Sequence, residues 1–247
     1  MRIAVIGAIA VSLLATTVQA RDLKLPNELV YLRDLAPDIR QDMRYAGAFN
    51  FTGRPVPGYQ AAECILWRPA AEALARAQTK LAAEGYGLKV YDCYRPARAV
   101  AAFVAWSRAP GQDSMRPVFY PLLEKAQLFR LGYIAARSKH SLAIAVDLGL
   151  VRVTDPALPT PTHAGACDGP FEARAAESSL DLGTAFDCFS SLSATAAPGV
   201  SVEARRNRDR LGSALMREGF QNYAKEWWHF DFTHPKAPQS AYDVPVR

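Results

Sequence analysis

The chain has 247 residues, of which 50% are hydrophobic and 21% are charged, and its formal net charge is +5. The basic excess is small and scattered. Its densest run, residues 203–210, intersperses acids at helical spacing and has no interleaved aromatic residues, which is typical of a solvated helix face and argues against nucleic-acid binding. The length suffices for a sizeable core, and the lack of a linker, heptad or internal repeat in the sequence favours one domain.

The first twenty residues predict a secretory signal peptide. Arg2 precedes an uncharged apolar run that ends in the small-x-small motif VQA. The run is short for a membrane span, which needs about 20 residues, so an uncleaved anchor is the less favoured alternative. We expect cleavage after Ala20, a single mature domain over residues 21–247, no stable membrane insertion afterwards, and a periplasmic or secreted location.

Helices and strands are mixed in the first half of the mature chain. The stretch 68–85 predicts a helix, because Pro69 suits the first turn, an apolar stripe follows at helical spacing, and Gly85 can end it. The next predicted elements are a strand (88–92), a helix (95–108) and a short helix or turn-rich stretch (119–129).

The second half begins with a strand at residues 144–153, rich in β-branched side chains. Residues 154–200 are rich in Pro, Gly, Ser, Thr and Ala, and predict a long covering loop. Residues 202–219 predict an amphipathic helix with Leu211, Leu215 and Met216 inward, and residues 226–232 predict the last strand. Without a regular βαβ rhythm, these elements predict an α+β fold with a mostly antiparallel central sheet flanked by helices.

An even number of cysteines in an exported chain indicates disulfides, and four cysteines allow three pairings. We favour Cys64–Cys93 and Cys167–Cys188, because the second pair brackets a Gly/Ser/Ala-rich segment that needs ordering. Closing a loop of that size contributes roughly 3 kcal/mol in the loop-entropy model. A zinc knuckle is disfavoured, since the sequence has no CxxC spacing.

The motif EWWHFDF, at residues 226–232, places Glu226 and His229 in an apolar setting. The aromatic residues fit a period-2 pattern that is typical of a strand with one packed face. This pattern does not explain Glu226 or His229. A catalytic zinc typically takes three protein ligands and leaves a fourth position for water. Because the sequence has no HExxH helix, any zinc site must be assembled from distant segments.

Asp147 and His140 could supply the other ligands. If His140 lies in the loop before the strand that holds Asp147, both groups can turn inward, and His229 completes a His2Asp set. A lone histidine is more often a hydrogen-bonded structural residue, whereas a carboxylate in an apolar strand is costly to bury unless it is paired or metal-bound. On these grounds alone, a metal site and structural roles are equally supported.

A resemblance covers most of the mature chain. The run S-x-H-x-x-x-x-A-x-D at residues 138–147, followed by E-x-W-H at residues 226–229, resembles the zinc signature of the D-alanyl-D-alanine dipeptidases. These belong to the zinc DD-peptidases of peptidase family M15, which have a hedgehog-like fold. Further blocks resemble the family in the same order: YDCYRPARAV (91–100), RYAGAFNFTGRPVPGY (44–59), LGTAFDCF (182–189) and the C-terminal YDVPVR.

The resemblance implies zinc-dependent hydrolysis of the D-Ala-D-Ala dipeptide in cell-wall peptide turnover. His140, Asp147 and His229 would bind one Zn²⁺ per chain. Glu226 would act as general base and then general acid, with a proton affinity raised by its apolar neighbours. Arg95 would stabilise the negative charge of the transition state with its permanently charged fork.

The resemblance also implies substrate contacts. Asp187 would receive the free ammonium group of the dipeptide, and Tyr45, Asp92 and Ser138 would shape or hold the substrate. Ala143 departs from the family, which usually has Gly three residues after the first zinc histidine. Either this backbone position is ordinary, or the loop takes a slightly different path, because Ala at φ > 0 costs on the order of 1 kcal/mol.

Other interpretations remain open. Arg95 could cap a turn at the surface, Glu226 could be a structural salt-bridge partner, and Asp187 could stabilise a turn. An alternative activity is that of a DD-carboxypeptidase or endopeptidase acting on peptidoglycan stem peptides. A zinc-bearing binding module without turnover is a different class, and it would need neither Glu226 nor Arg95.

Overall fold

The computed structural model describes residues 24–247. The predicted signal peptide, residues 1–20, lies outside the described residues. The elements in chain order are β1 (Leu29–Tyr31), α1 (Leu32–Leu35), β2 (Arg40–Gln41), β3 (Ile65–Trp67), α2 (Arg68–Ala83), β4 (Tyr86–Asp92), α3 (Ala97–Arg108), α4 (Arg116–Phe119), α5 (Lys125–Leu131), β5 (Ala145–Arg152), α6 (Val202–Met216), β6 (Phe220–Asn222) and β7 (His229–Phe232). Short 3-10 helices lie at Arg44–Ala46, Lys139–Leu142, Phe171–Ala173 and Ser191–Ser193.

The three longest helices form where the sequence predicts them. Pro69 lies in the first turn of α2, and Gly85, just beyond its end, has a φ of 79° that an L side chain rarely adopts. In α6, Leu211 and Leu215 are buried as expected, but Met216 is 56% exposed. The inward assignment of Met216 is wrong because it lies roughly 100° further round the helix than Leu215.

The central sheet is mixed. Its five strands are ordered β2-β4-β5-β7-β6. The β2–β4 pair is parallel, and the β4–β5, β5–β7 and β6–β7 pairs are antiparallel. The expectation of a mostly antiparallel sheet is therefore corrected to a mixed sheet. The parallel strand β2 was not predicted, because its two residues are too few to show an alternating pattern in the sequence. A separate antiparallel pair is formed by β1 and β3.

The register of the sheet aligns three polar residues across neighbouring strands. Asp92 of β4 lies opposite Asp147 of β5, after a register shift that follows Val90, and Asp147 lies opposite His229 of β7. Residues directly opposite each other share one face of a sheet. The strand pairing therefore brings side chains that are far apart in sequence together across the three interior strands, β4, β5 and β7.

The last strand is shorter than the sequence predicts, because β7 begins only at His229. Glu226 lies in the loop that joins β6 to β7, so the predicted strand start at residue 226 is wrong. The side-chain amide of Asn222 donates to the carbonyl oxygens of Glu226 and His229, both at 3.0 Å. These bonds fold residues 223–228 into a tight loop that no alternation pattern reveals.

Residues 153–201 form the covering loop that the sequence predicts, with two 3-10 turns as their regular structure. Four buried charged side chains attach the loop to β2 and β4. Arg44 contacts Asp42 at 2.9 Å and Glu177 of the loop at 2.7 Å, while the Nζ atom of Lys89 lies 2.8 Å from Asp42 and donates to the carbonyl oxygen of Glu177 at 2.6 Å. Because each charge has an opposite partner, the cluster can remain buried.

Both predicted disulfides, Cys64–Cys93 and Cys167–Cys188, are present. The first joins the start of β3 to the end of β4, and the second closes part of the covering loop. One hydrophobic cluster extends from Leu29 in β1 to Val246 near the C-terminus. Among residues 24–247, no helix combines the length and the apolar character required to cross a bilayer.

Candidate active site

The three predicted metal ligands meet at one end of the interior strands β5 and β7 of the central sheet. Asp147 and His229 are paired across β5 and β7, and His140 approaches from the 3-10 helix that precedes β5. His140 Nε2 lies 3.1 Å from His229 Nδ1 and 3.3 Å from Asp147 Oδ1, and His229 Nδ1 lies 2.9 Å from Asp147 Oδ1. Each residue thus offers one ligand atom within 4.8 Å of the others.

The outer nitrogen of each imidazole already contacts an oxygen. His140 Nδ1 lies 2.6 Å from the carbonyl oxygen of Cys93, which can only accept, so the lone pair of His140 is on Nε2 and faces the cluster. His229 Nε2 lies 3.1 Å from Asp231 Oδ1, and donation to that carboxylate leaves the lone pair on Nδ1. In that tautomer, two imidazole lone pairs and a carboxylate oxygen would face one another, an arrangement that a bound cation satisfies.

The pKa shifts of the cluster residues also indicate that positive charge is favoured at this position. Burial disfavours a charged imidazole, but the hydrogen bonds to Asp147 and Asp231 outweigh it and raise the pKa of His229 to about 10. Burial also opposes ionisation of Asp147, whereas His140 and His229 hold its pKa well below the ordinary value. The two nitrogen donors and one oxygen donor match the ligand types that bind a catalytic zinc.

Glu226 lies beside the cluster without joining it. Its Oε2 atom is 3.9 Å from His229 Nδ1, and its side chain is 19% exposed. Burial raises the pKa of Glu226 to about 7. The neighbouring His229 opposes this shift, whereas the negative charge of Asp147 adds to it. A carboxyl group with a near-neutral pKa can both take up and return a proton.

Arg95 extends into the same cleft from the segment between β4 and α3. Its guanidinium donates to Asp92 Oδ2 at 2.9 Å and lies 3.6 Å from Asp147 Oδ2. The Cζ atom of the guanidinium lies 5.1 Å from the ring centroid of Tyr45 and 5.2 Å from that of Phe103. These contacts hold the guanidinium beside the candidate metal ligands with 14% of the side chain exposed, which differs from a surface arginine that caps a turn.

Asp92 is fully buried beneath Arg95. Its second carboxylate oxygen accepts a hydrogen bond from Tyr59 at 2.6 Å, and its side chain does not line the cleft. The resemblance implied that Asp92 shapes or holds the substrate. The structure places it one layer deeper, where it orients the guanidinium of Arg95.

Asp187 and Tyr45 form another polar pair in the wall of the cleft. The hydroxyl of Tyr45 donates to Asp187 Oδ2 at 2.7 Å. Burial, together with the charge of Asp147, raises the pKa of Asp187 well above its ordinary value. The backbone of Asp187 has a φ of 60°, a left-handed conformation that is uncommon outside glycine and concentrates at functional sites.

The loop that carries His140 is organised by its flanking residues. Ser138 caps the 3-10 helix by accepting the N–H of His140 at 3.2 Å, and it also lines the cleft. Ala143 ends that helix with a φ of 56°. Its position is therefore not an ordinary one, and the left-handed backbone costs roughly 1–2 kcal/mol with a Cβ present.

The cleft that these residues line has a volume of about 250 Å³. This volume is below the range of about 300–1,000 Å³ that is usual for sites of drug-sized ligands. Eight of the nine predicted metal, catalytic and substrate residues line it: Tyr45, Arg95, Ser138, His140, Asp147, Asp187, Glu226 and His229.

Comparison with known proteins identifies the family. The family model described as D-ala-D-ala dipeptidase, peptidase family M15, matches residues 26–247. The chain belongs to this family. The matched range contains every residue of the cleft, and the resemblance stated from the sequence motifs is confirmed. Because M15 is a family of metallopeptidases, the chain is an enzyme.

Members of the M15 family with established names align over nearly their whole length. A D-alanyl-D-alanine dipeptidase from Enterococcus faecium is 33% identical over 217 residues, which cover 88% of this chain and 97% of the relative. The proteins of the same name from Streptomyces coelicolor and Enterococcus faecalis are 32% and 31% identical over 222 residues, which cover 90% of this chain and 100% of each relative.

Three polar residues of the site were not among those predicted from the sequence. Asp231 contacts His229, Lys139 contacts Asp231 at 3.0 Å, and Asn222 organises the loop that carries Glu226. Asp231 could have been found, because it lies two residues after His229 and shares its strand face. Asn222 had no local signal, since its partners follow a turn that the sequence did not reveal.

Proposed function

We propose that this M15 family member is a zinc-dependent dipeptidase that hydrolyses D-Ala-D-Ala by means of an activated water molecule. The observation that carries the proposal is the convergence of His140, Asp147 and His229, with the carboxylate of Glu226 3.9 Å from His229. The names of the aligned relatives support the choice of substrate.

His140 Nε2, His229 Nδ1 and a carboxylate oxygen of Asp147 would hold one Zn²⁺ in this site. When bound, zinc supplies Lewis acidity that lowers the pKa of a water ligand and polarises a carbonyl group. The protein holds the imidazoles in place through the contact of His140 with Cys93 and that of His229 with Asp231.

Glu226 carries the proton during hydrolysis. It takes a proton from the attacking water as the oxygen–carbon bond forms at the peptide carbonyl. It then returns that proton to the leaving amine as the carbon–nitrogen bond breaks. Burial raises the pKa of Glu226 above its ordinary value, which favours proton uptake, and the same carboxyl group can return the proton.

Arg95 stabilises the negative charge that develops on the carbonyl oxygen. Its side chain lies beside Asp147 and is held from behind by Asp92, so the guanidinium needs little reorganisation during the reaction. Asp92 is itself held in place, because its other carboxylate oxygen accepts a hydrogen bond from the hydroxyl of Tyr59.

Asp187 provides the means to recognise a free amino terminus. Its carboxyl group is buried, and its pKa is raised well above the ordinary value, so an incoming ammonium group would supply the charge that favours the ionised form. A blocked or extended amine would leave Asp187 without this partner in a closed cleft, which is costly. Tyr45 holds the carboxylate in place, and Ser138 lines the cleft beside the His140 loop.

We further propose that residues 1–20 are a signal peptide cleaved after Ala20 and that residues 21–247 form one zinc dipeptidase domain with the DD-peptidase fold. The two disulfides support a periplasmic or secreted location, because disulfides persist in oxidising compartments. In that location the enzyme would act in cell-wall peptide turnover.

The decisive experiment measures D-Ala-D-Ala hydrolysis by the purified chain that begins at Arg21. We expect release of D-alanine, loss of activity with a chelator, and recovery when Zn²⁺ is added back. N-acetyl-D-Ala-D-Ala should be cleaved far more slowly. Equal rates on the two substrates would instead support a carboxypeptidase, and zinc binding without any hydrolysis would support a binding module.

A further inference from the structure

A carboxylate outside the proposed ligand set lies directly behind His229. Asp231 Oδ1 is 3.1 Å from His229 Nε2, on the side of the ring that faces away from His140. Asp231 is two residues further along β7, so both side chains emerge on the same face of the strand. In the antiparallel register Asp231 is paired with Ala145 of β5.

The position of Asp231 matters because His229 is the imidazole whose tautomer is undecided. Its Nδ1 atom lies 2.9 Å from Asp147 Oδ1, and its Nε2 atom lies 3.1 Å from Asp231 Oδ1, so each nitrogen has a carboxylate partner. A hydrogen on Nδ1 would occupy the nitrogen that must face the metal. A hydrogen on Nε2 leaves the Nδ1 lone pair free for it.

Lys139 holds Asp231 from the other side. Its Nζ atom lies 3.0 Å from Asp231 Oδ2, while Oδ1 faces His229. Lys139 also directly precedes His140 in the 3-10 helix. A chain of contacts therefore runs from the segment of one histidine ligand, through Lys139 and Asp231, to the ring of the other.

We propose that Asp231 is a positioning residue that competes with Asp147 for the hydrogen of His229 and keeps Nδ1 free for the metal, and that Lys139 orients Asp231. This inference rests on the proposed metal site. It adds a determinant of metal affinity that lies outside the three ligands.

The test is the zinc affinity of the full mature chain, measured by competition with a chromophoric chelator. Asp231→Ala removes the acceptor and should weaken zinc binding about 10- to 100-fold, as is usual when the partner of a metal-binding histidine is lost. Asp231→Asn keeps an oxygen that can accept from Nε2, and should lose clearly less affinity than Asp231→Ala. The matched control is Asp243→Ala, which removes an exposed carboxylate that contacts Arg98 at 3.0 Å. This control should bind zinc as the wild type does.

A double-mutant comparison tests the part played by Lys139. Lys139→Ala alone should weaken zinc binding by a smaller factor than Asp231→Ala. When Asp231 is already replaced by Ala, Lys139→Ala should cause no further loss of zinc affinity, because Lys139 acts through the carboxylate of Asp231. Equal losses in both backgrounds would remove Lys139 from the inference.

The two proposals fail in distinguishable ways. If the wild type binds zinc and hydrolyses D-Ala-D-Ala while Asp231→Ala binds zinc with unchanged affinity, only the role of Asp231 is overturned. Equal losses for Asp231→Asn and Asp231→Ala would overturn the tautomer argument. A wild-type chain without zinc affinity would overturn the metal site and this inference together.

Discussion

The Nε2 atom of His140 lies 3.1 Å from the Nδ1 atom of His229, although the two histidines are 89 residues apart in sequence. Each ring is held from behind by an oxygen, of Cys93 in one case and of Asp231 in the other. Two imidazole nitrogens that point toward each other beside a carboxylate favour a cation between them, and this geometry underlies the first prediction.

Replacing His140 should abolish metal binding. In His140→Ala the remaining pair, Asp147 and His229, offers too few ligands for a tightly held zinc. Elemental analysis after dialysis should give close to no zinc, against one ion per chain in the wild type. The control is His163→Ala, because His163 is exposed and outside the cluster. Full zinc occupancy in His140→Ala would refute the ligand set.

Replacing Glu226 should separate metal binding from turnover. Glu226→Ala should retain zinc, since Glu226 is not a ligand in the proposed set. It should lower kcat by about 100- to 10,000-fold, the usual contribution of general acid–base catalysis. Steady-state hydrolysis of D-Ala-D-Ala measures this, with Glu172→Ala in the exposed part of the covering loop as the control. Turnover at the wild-type rate would remove the proton-transfer role.

Removing the side chain of Asn222 should disturb the loop that presents Glu226. Asn222→Ala leaves the carbonyl oxygens of Glu226 and His229 without their amide donor. We expect the free energy of unfolding to fall by about 1–3 kcal/mol and kcat to fall while zinc content stays the same. Gln221→Ala is the matched control, because this neighbouring side chain is exposed. A kcat equal to that of the wild type would show that the loop is held by other contacts.

Neutralising Asp187 should reduce discrimination between free and blocked dipeptides. For Asp187→Asn, kcat/KM on D-Ala-D-Ala should fall about 10- to 100-fold, because a hydrogen bond to a charged group contributes roughly 1.5–3 kcal/mol. The value for N-acetyl-D-Ala-D-Ala should change little, so the ratio of the two measures the effect. Asp155→Asn, at an exposed loop position, should leave the ratio unchanged. An unaltered ratio in Asp187→Asn would place ammonium recognition elsewhere.

Replacing Asp42 should change how stability depends on pH. Burial opposes ionisation of Asp42, but Arg44 and Lys89 outweigh it and, with the hydroxyl of Thr160, lower its pKa below 3.8. Because this pKa is depressed, ionised Asp42 makes its full contribution to the free energy of unfolding at pH values above its ordinary pKa. That contribution is lost as the pH falls through the folded-state pKa. Glu177 completes the cluster through Arg44.

Urea unfolding of Asp42→Asn checks this expectation. At about pH 7 the variant should be less stable by roughly 3–5 kcal/mol, because two buried cations lose a partner. The difference from the wild type should shrink as the pH falls below about 4, because the carboxyl group of Asp42 takes up a proton there in the unfolded chain and only at lower pH in the folded one. Asp38→Asn, at an exposed position, should be close to neutral at both values. A difference that is constant across this range would contradict the assignment.

Local patterns predicted the long elements and the family motifs. Helices α2, α3 and α6 and strands β4 and β5 follow from apolar spacing, and the disulfide pairing follows from the composition of the covering loop. Short strands such as β2 and β6 escaped prediction because two or three residues cannot display an alternation. The outer edges of the central sheet were therefore inaccessible to sequence reasoning.

The candidate metal ligands and the proposed acid beside them could be predicted from the sequence, through residues such as His140 and Glu226 and the motifs that carry them. Only the tertiary structure decided that Glu226 lies in a hairpin loop, that Asp92 lies beneath Arg95, and that Asp231 stands behind His229. The physical reason is that residue chemistry and local period are properties of short segments. Strand register and loop closure, in contrast, depend on hydrogen bonds between segments that meet only when the chain folds.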